Sequence, residues 1–154
     1  MMYLGLDCST LAVHGALIDE NEQLVSLHKW GSKNKNFFER FPEILVGFSE
    51  ECSKINIVDS AAIEAAIFIQ NPKTTIAIAN VVGAVWSTLL IAGISTTLID
   101  NRQWKKIILD KGNATKEDIK IFAVTKWGEI FPEQDYADAA CIALWNKRRT
   151  DYDG

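Results

Sequence analysis

The chain has 154 residues, 48% hydrophobic and 23% charged, with a formal net charge of −4. That length fits a single domain over 1–154 that buries a core without crosslinks. The charge argues against a general polyanion binder. The three cysteines, Cys8, Cys52 and Cys141, form no CxxC pair, which argues against zinc or a disulfide framework and suits a reducing cytoplasm. No basic leader precedes Asp7, so no export signal is read and a cytoplasmic location is expected.

Residues 3–9, 12–19 and 23–30 read as strands, and the polar turn Asp19-Glu20-Asn21-Glu22 makes the last two an antiparallel hairpin. Phe37, Phe38, Phe41, Ile44, Leu45 and Phe48 recur at helical spacing, which predicts a helix near 37–54 with Pro42 as a bend or a late start. Ile57 to Ile63 reads as a buried strand. Thr74 to Ile99 carries no charge and is long enough for the ~20 residues of a membrane span. Asn80, Ser87, Thr88, Ser95, Thr96, Thr97 and the break at Gly93 favour instead a buried helix over 73–92 and a buried strand over 94–99, with no membrane contact. Helices are predicted from Trp104 to Leu109, from Thr115 to Trp127, and from Pro132 at a first helical position to about Arg149, with a frayed tail beyond Thr150. The hairpin followed by βαβ units predicts an α/β fold: a mixed five-stranded sheet with helices on both faces.

Four carboxylates stand out. Asp7 ends the run Tyr3-Leu4-Gly5-Leu6, Glu64 ends Ala61-Ala62-Ile63, and Asp135 and Asp138 lie among Tyr136, Ala137, Ala139 and Ala140. A carboxylate in such company is costly unless neutralised, and four that converge repel one another. Mg²⁺, with Mn²⁺ as a substitute, takes oxygen ligands, and two such ions about 4 Å apart form a clamp for phosphodiester hydrolysis. Asp7 and Glu64 fall at carboxyl ends of strands, where open α/β sheets bind ligands. Asp135 and Asp138 share a helix face at i and i+3. The plainer readings are a strand-ending acid and acids favoured by a helix N-terminus; Glu133 is read only in the second way. Seven basic residues lie in 101–126 (Arg102, Lys105, Lys106, Lys111, Lys116, Lys120 and Lys126) against Asp110, Glu117 and Asp118, a local basic face for phosphates. His14 and His28 have no metal-spaced partner and receive no role. The tryptophans are read mostly as core or interface, with Trp104 a weak candidate for flanking DNA.

Leu4-Gly5-Leu6-Asp7, Ala62-Ile63-Glu64, the segment from Trp104 through Ile119, and Asp135-Tyr136-Ala137-Asp138-Ala139 resemble, in order, four motifs of the RuvC Holliday junction resolvases of the ribonuclease H-like superfamily. The resemblance implies a ribonuclease H-like fold, a homodimer, two Mg²⁺ per site, and paired nicking of Holliday junctions and related branched DNA to leave 5′-phosphate and 3′-hydroxyl ends. It makes Asp7, Glu64, Asp135 and Asp138 the metal ligands. It puts Lys116 beside the scissile phosphate, Lys105 on the DNA backbone, and Lys106 and Lys111 behind them. The helix start after Gly112-Asn113-Ala114-Thr115 would add a phosphate site. Phe68 either stacks on an unpaired base or fills the core, and the family's aromatic aligns with its neighbour Ile67. Asp7-Cys8-Ser9 departs from the family's Asp-Pro-Gly, and the glycine turn shrinks to Lys111-Gly112-Asn113, which suggests a divergent, phage-type member. The rival readings are a nuclease of the same superfamily acting on flaps or RNA/DNA hybrids, and a non-catalytic DNA-binding protein. A sugar-kinase or actin-like fragment would need glycine-rich ATP motifs that the chain lacks.

Overall fold

The computed structural model describes residues 1–54, 57–67 and 69–153. Within these, β1 (Met2–Cys8), β2 (Ala12–Asp19), β3 (Leu24–Gly31), β4 (Ser60–Glu64) and β5 (Ser95–Ile99) form one sheet of order β3-β2-β1-β4-β5. The helices are α1 (Phe37–Cys52), α2 (Pro72–Ile91), α3 (Asn101–Leu109), α4 (Lys116–Trp127) and α5 (Gln134–Asp153). β1 pairs antiparallel with β2 and parallel with β4, and β4 pairs parallel with β5. This is the mixed α/β sheet that the sequence predicts.

The sheet separates two cores because successive strand residues point to opposite faces. Leu4, Leu6, Val13, Leu17, Ala61 and Ile63 face α1 and α2. Tyr3, Ile18 and Ala62 face α5, with α3 and α4 packed around it. The hairpin turn is made by Asp19, whose Oδ1 accepts from the backbone N–H groups of Asn21 at 2.9 Å and Gln23 at 2.8 Å. Glu22, in the left-handed region at φ 62°, is fixed there by Arg148 and Lys126, which hold its carboxyl down at about 2.

Several boundaries differ from expectation. β4 begins at Ser60 rather than Ile57: Asp59 closes onto the start of β1, accepting from Met2 N through Oδ2 at 2.6 Å. Pro42 neither delays nor ends α1, which starts at Phe37 behind the N-cap Asn36. Helix α5 starts at Gln134 with Pro132 outside it, and it continues through Thr150 to Asp153 instead of fraying, with a Lys147–Asp151 pair one turn apart.

The uncharged segment is only half buried. α2 is long and apolar enough to cross a membrane by composition. It lays Val81, Val82, Val85 and Leu89 on the sheet and leaves Ile76, Trp86, Leu90 and Ile91 exposed. β5 is an edge strand whose last residue alone is buried.

Candidate active site

Strand parity and register assemble the site. Tyr3 and Ala62 point toward α5, so Asp7 and Glu64, an even number of residues further on, point the same way. The β1–β4 register ends at Leu6 beside Ile63, so Asp7 and Glu64 emerge side by side at the carboxyl ends of neighbouring parallel strands. On the other side of β1, Asp7 is the direct cross-strand partner of His14.

Helix α5 comes close enough to complete the site because Gly5 lies beneath it. A Cβ at position 5 would stand 2.1 Å from the Ala139 carbonyl oxygen and 2.2 Å from the Ala143 nitrogen, closer than any side chain permits. Ala139, Ala140 and Ala143, all fully buried, keep the helix side of this contact small. The N-terminal part of α5 then overhangs the end of β1, with Asp135 and Asp138 on the facing side. Ligand oxygens of Asp7, Asp135 and Asp138 all lie within 4.8 Å of one another.

Glu64 joins the site on a tether. Its Oε2 accepts from Trp104 Nε1 at 2.6 Å and from Asn101 Nδ2 at 3.1 Å, so α3 fixes the carboxylate through one oxygen. Trp104 is fully buried, in line with the reading of the tryptophans mostly as core. Its indole is a supporting donor inside the protein.

The carboxylates oppose one another's ionisation. Burial holds the Asp7 carboxyl well above the usual range, and the charges of Glu64, Asp138 and Asp135 add to it. Asp138 is pushed up to about 6, by burial first and then by Glu64; the Gln134 hydrogen bond and Lys105 pull against this. An all-oxygen set strained in this way fits a hard divalent cation, which removes the repulsion that raises the values. The thiols of Cys8 and Cys141 are also pushed up, by burial and by the same acids, and do not act as nucleophiles.

A pH-dependent stability follows. Asp138 binds its proton more tightly folded than unfolded, so its cost to the fold is absent below about pH 4, grows through pH 6, and is complete above about pH 7. The chelated protein is expected to melt about 2–3 °C lower at pH 8 than at pH 5.5, and Mg²⁺ at pH 8 should restore the difference. Calorimetry of wild type and Asp138→Asn checks this; an equal pH difference in both proteins would assign it elsewhere.

Three features were not read from the sequence. His14 is 3% exposed, with Nε2 2.5 Å from Glu133 Oε2 and Nδ1 3.8 Å from Asp135 Oδ2. Glu133, read as a simple helix-end charge, bridges His14 to Lys29 Nζ at 2.7 Å. Buried Arg40 donates to the carbonyl oxygens of Thr10, Asn34 and Lys35, fixing the loop that follows Asp7. A histidine inside an alternating strand and an arginine inside a helix carry no sequence signal; only the Asp7–His14 register would have exposed the first.

The basic segment divides by position. Lys105, partly buried over the Trp104 ring at 5.6 Å, is the lysine that acts on Asp138. Lys116 is exposed at the first position of α4, and Lys106 is exposed on α3. Lys111 pairs with Asp118 at 3.0 Å. Asp118 and Thr115 form a capping box at the start of α4. That box takes up the Thr115 and Asp118 amides and adds a negative charge at the helix start where the phosphate site is expected. Phe68 lies outside the described residues.

Sheet order, helix placement and the strand-end acids define a ribonuclease H-like nuclease fold. The family described as crossover junction endodeoxyribonuclease RuvC matches residues 11–146, and the chain belongs to that family. It is therefore a junction-cleaving endodeoxyribonuclease. Asp7 falls just before the matched span, so its place in the site rests on the register of β1. Among solved structures, RuvC of T. thermophilus in complex with Holliday junction substrate has a TM-score of 0.82 at 20% identity, covering 98% of this chain and 96% of that one. A second Thermus thermophilus RuvC structure gives 0.79 at 17% identity, with 98% and 97% covered. The yeast mitochondrial Holliday junction resolvase Ydc2 gives 0.57 at 14% identity, with 97% and 81% covered. No curated protein matches the chain in sequence.

Proposed function

We propose that this protein is a homodimeric Holliday junction resolvase whose acids Asp7, Glu64, Asp135 and Asp138 hold two Mg²⁺ ions. The observation that carries the proposal is the convergence of Asp7, Asp135 and Asp138 within 4.8 Å beside a tethered Glu64. When bound, the cations supply activation of the attacking water and stabilisation of the leaving 3′ oxygen. The chain's own residues do the positioning. Trp104 and Asn101 fix Glu64, Gly5 admits α5, and Arg40 shapes the loop after Asp7. Lys105, rather than the Lys116 that the resemblance puts beside the scissile phosphate, takes the role of meeting charge that develops on a phosphate, because Lys105 is the lysine that acts on Asp138.

The two lysines separate chemistry from binding. Lys105→Ala is expected to lower the cleavage rate about 10-fold or more with little change in junction affinity. Lys116→Ala should instead weaken affinity and flatten its salt dependence by about one unit of slope. A salt titration of binding, run beside single-turnover cleavage, checks both; wild-type behaviour in both variants would make them ordinary solvated charges.

Paired cuts in one junction need two sites related by a two-fold axis. The outward face of α2 is suited to self-association. Ile76, Trp86 and Leu90 are exposed along one stripe, and a Cβ added at Gly83 meets nothing within 4 Å. Light scattering should give twice the 17.2 kDa chain mass at micromolar concentration, and Leu90→Glu should give the monomer. A wild-type monomer even on junction DNA would oppose paired cutting.

The functional test is cleavage of an end-labelled four-way junction, a flap and an RNA/DNA hybrid at equal concentration, with Mg²⁺ and with chelator. The proposal predicts symmetric, Mg²⁺-dependent nicks in the junction above all. Preferential cutting of the flap or hybrid would move the protein to another target within the superfamily.

A further inference from the structure

We infer that His14 is a nitrogen ligand to a cation held on Asp135, which raises the affinity of this centre for first-row divalent transition metals. The inference rests on the reading of Asp135 as a metal ligand.

The two nitrogens of the His14 imidazole have different surroundings. Glu133 accepts from Lys29 through Oε1 and meets His14 Nε2 through Oε2. A carboxylate of this kind only accepts, so in the neutral ring Nε2 carries the hydrogen and Nδ1 presents a lone pair. Nδ1 is buried and has no hydrogen-bond partner among the described residues. It faces Asp135 Oδ2 at 3.8 Å, too far for a hydrogen bond. The ring is held in this pose by the Tyr136 ring, edge-on at 4.8 Å, and by the strand position opposite Asp7.

A buried lone pair aimed at a half-exposed carboxylate is unfavourable unless something positive lies between them. Ligand atoms each about 2.1 Å from one ion stand roughly 3–3.5 Å apart, so closure by a few tenths of an ångström completes the pair. The Glu133–His14 contact matches the support that metal-bound histidines receive, a carboxylate on the far nitrogen that fixes the tautomer and raises ligand basicity. Imidazole suits first-row transition ions, whereas Mg²⁺ favours all-oxygen sites and keeps its waters.

The test uses Mn²⁺ as the probe on the full chain without DNA, in pulsed electron paramagnetic resonance that detects ¹⁴N coupled to the bound ion. The chain has two histidines, so the source is decided by substitution. Wild type should show imidazole nitrogen coupling. His28→Gln should keep it, and His14→Phe should lose it while weakening Mn²⁺ about 10-fold and Mg²⁺ less than about 2-fold. Glu133→Gln, altered at a half-exposed carboxylate, should keep the coupling with weaker binding. Bound Mn²⁺ without nitrogen coupling in the wild type overturns the inference and leaves the acid site standing. Coupling that vanishes in His28→Gln also overturns it. Failure of wild type to bind Mn²⁺ at all overturns both this inference and the metal reading of the acids.

Discussion

Asp7→Asn is expected to lower junction cleavage on the order of 10³-fold while leaving the fold and junction affinity within about 2-fold of wild type. Asp7 stands at the centre of the cluster, beside Glu64 on one strand and beneath Asp135 and Asp138 on α5. Replacing its carboxylate by an amide removes one negative ligand but keeps shape and volume. The substitution removes no basic side chain, so binding should persist. The same change removes one of four repelling charges, so the metal-free variant should melt at or above the wild-type temperature at pH 8. Undiminished nicking by Asp7→Asn would remove Asp7 from the chemistry.

Gly5→Ala should be the most destabilising small substitution in the chain, at about 3 kcal/mol or more, or roughly 6–12 °C in Tm. The clash is with helix backbone at Ala139 and Ala143, which cannot rotate away as a side chain can. Relief requires α5 to move off β1, which also draws Asp135 and Asp138 away from Asp7. Metal affinity and cleavage should fall with stability. Gly47→Ala is the control. It lies inside α1, where an added Cβ meets only Trp30 Cδ1 at 3.8 Å, and it should raise stability by up to about 1 kcal/mol. Thermal melts of the two variants decide the matter; a Gly5→Ala melt within about 2 °C of wild type would contradict the close packing of α5.

Asp7, Glu64 and Asp138 were legible because each one breaks or ends an apolar run, which is costly without a purpose, and Asp135 because it stands three residues before Asp138 on the same helix face. Asp7 and Glu64 also declare their position, since a strand that ends in an acid delivers it to the sheet edge. The hairpin was legible from Asp19 to Glu22, and the helices from their spacing. What was not legible depends on residues far apart in the chain. Trp104 meets Glu64 across forty positions, and no local pattern distinguishes an indole donor from a core filler. His14 meets Asp7 only through strand register, and Asp135 only after Gly5 lets α5 settle. The uncharged stretch of α2 misled in a different way. Absence of charge marks a helix that avoids water, but it does not say whether the sheet or a second subunit covers each side. Its polar atoms, Ser87 and Thr88, bond back to the carbonyls of Gly83 and Ala84, so they do not mark an outer face either.

The central claim is that Asp7, Glu64, Asp135 and Asp138 form one divalent-cation centre at the carboxyl end of β1 and β4. Anomalous diffraction from crystals soaked in Mn²⁺ tests it most directly. Two peaks about 4 Å apart, with oxygens of all four acids about 2.0–2.3 Å from one or other ion, is the result the account predicts. Saturating Mn²⁺ that leaves the space between these acids empty, or that binds elsewhere on the surface, would contradict it.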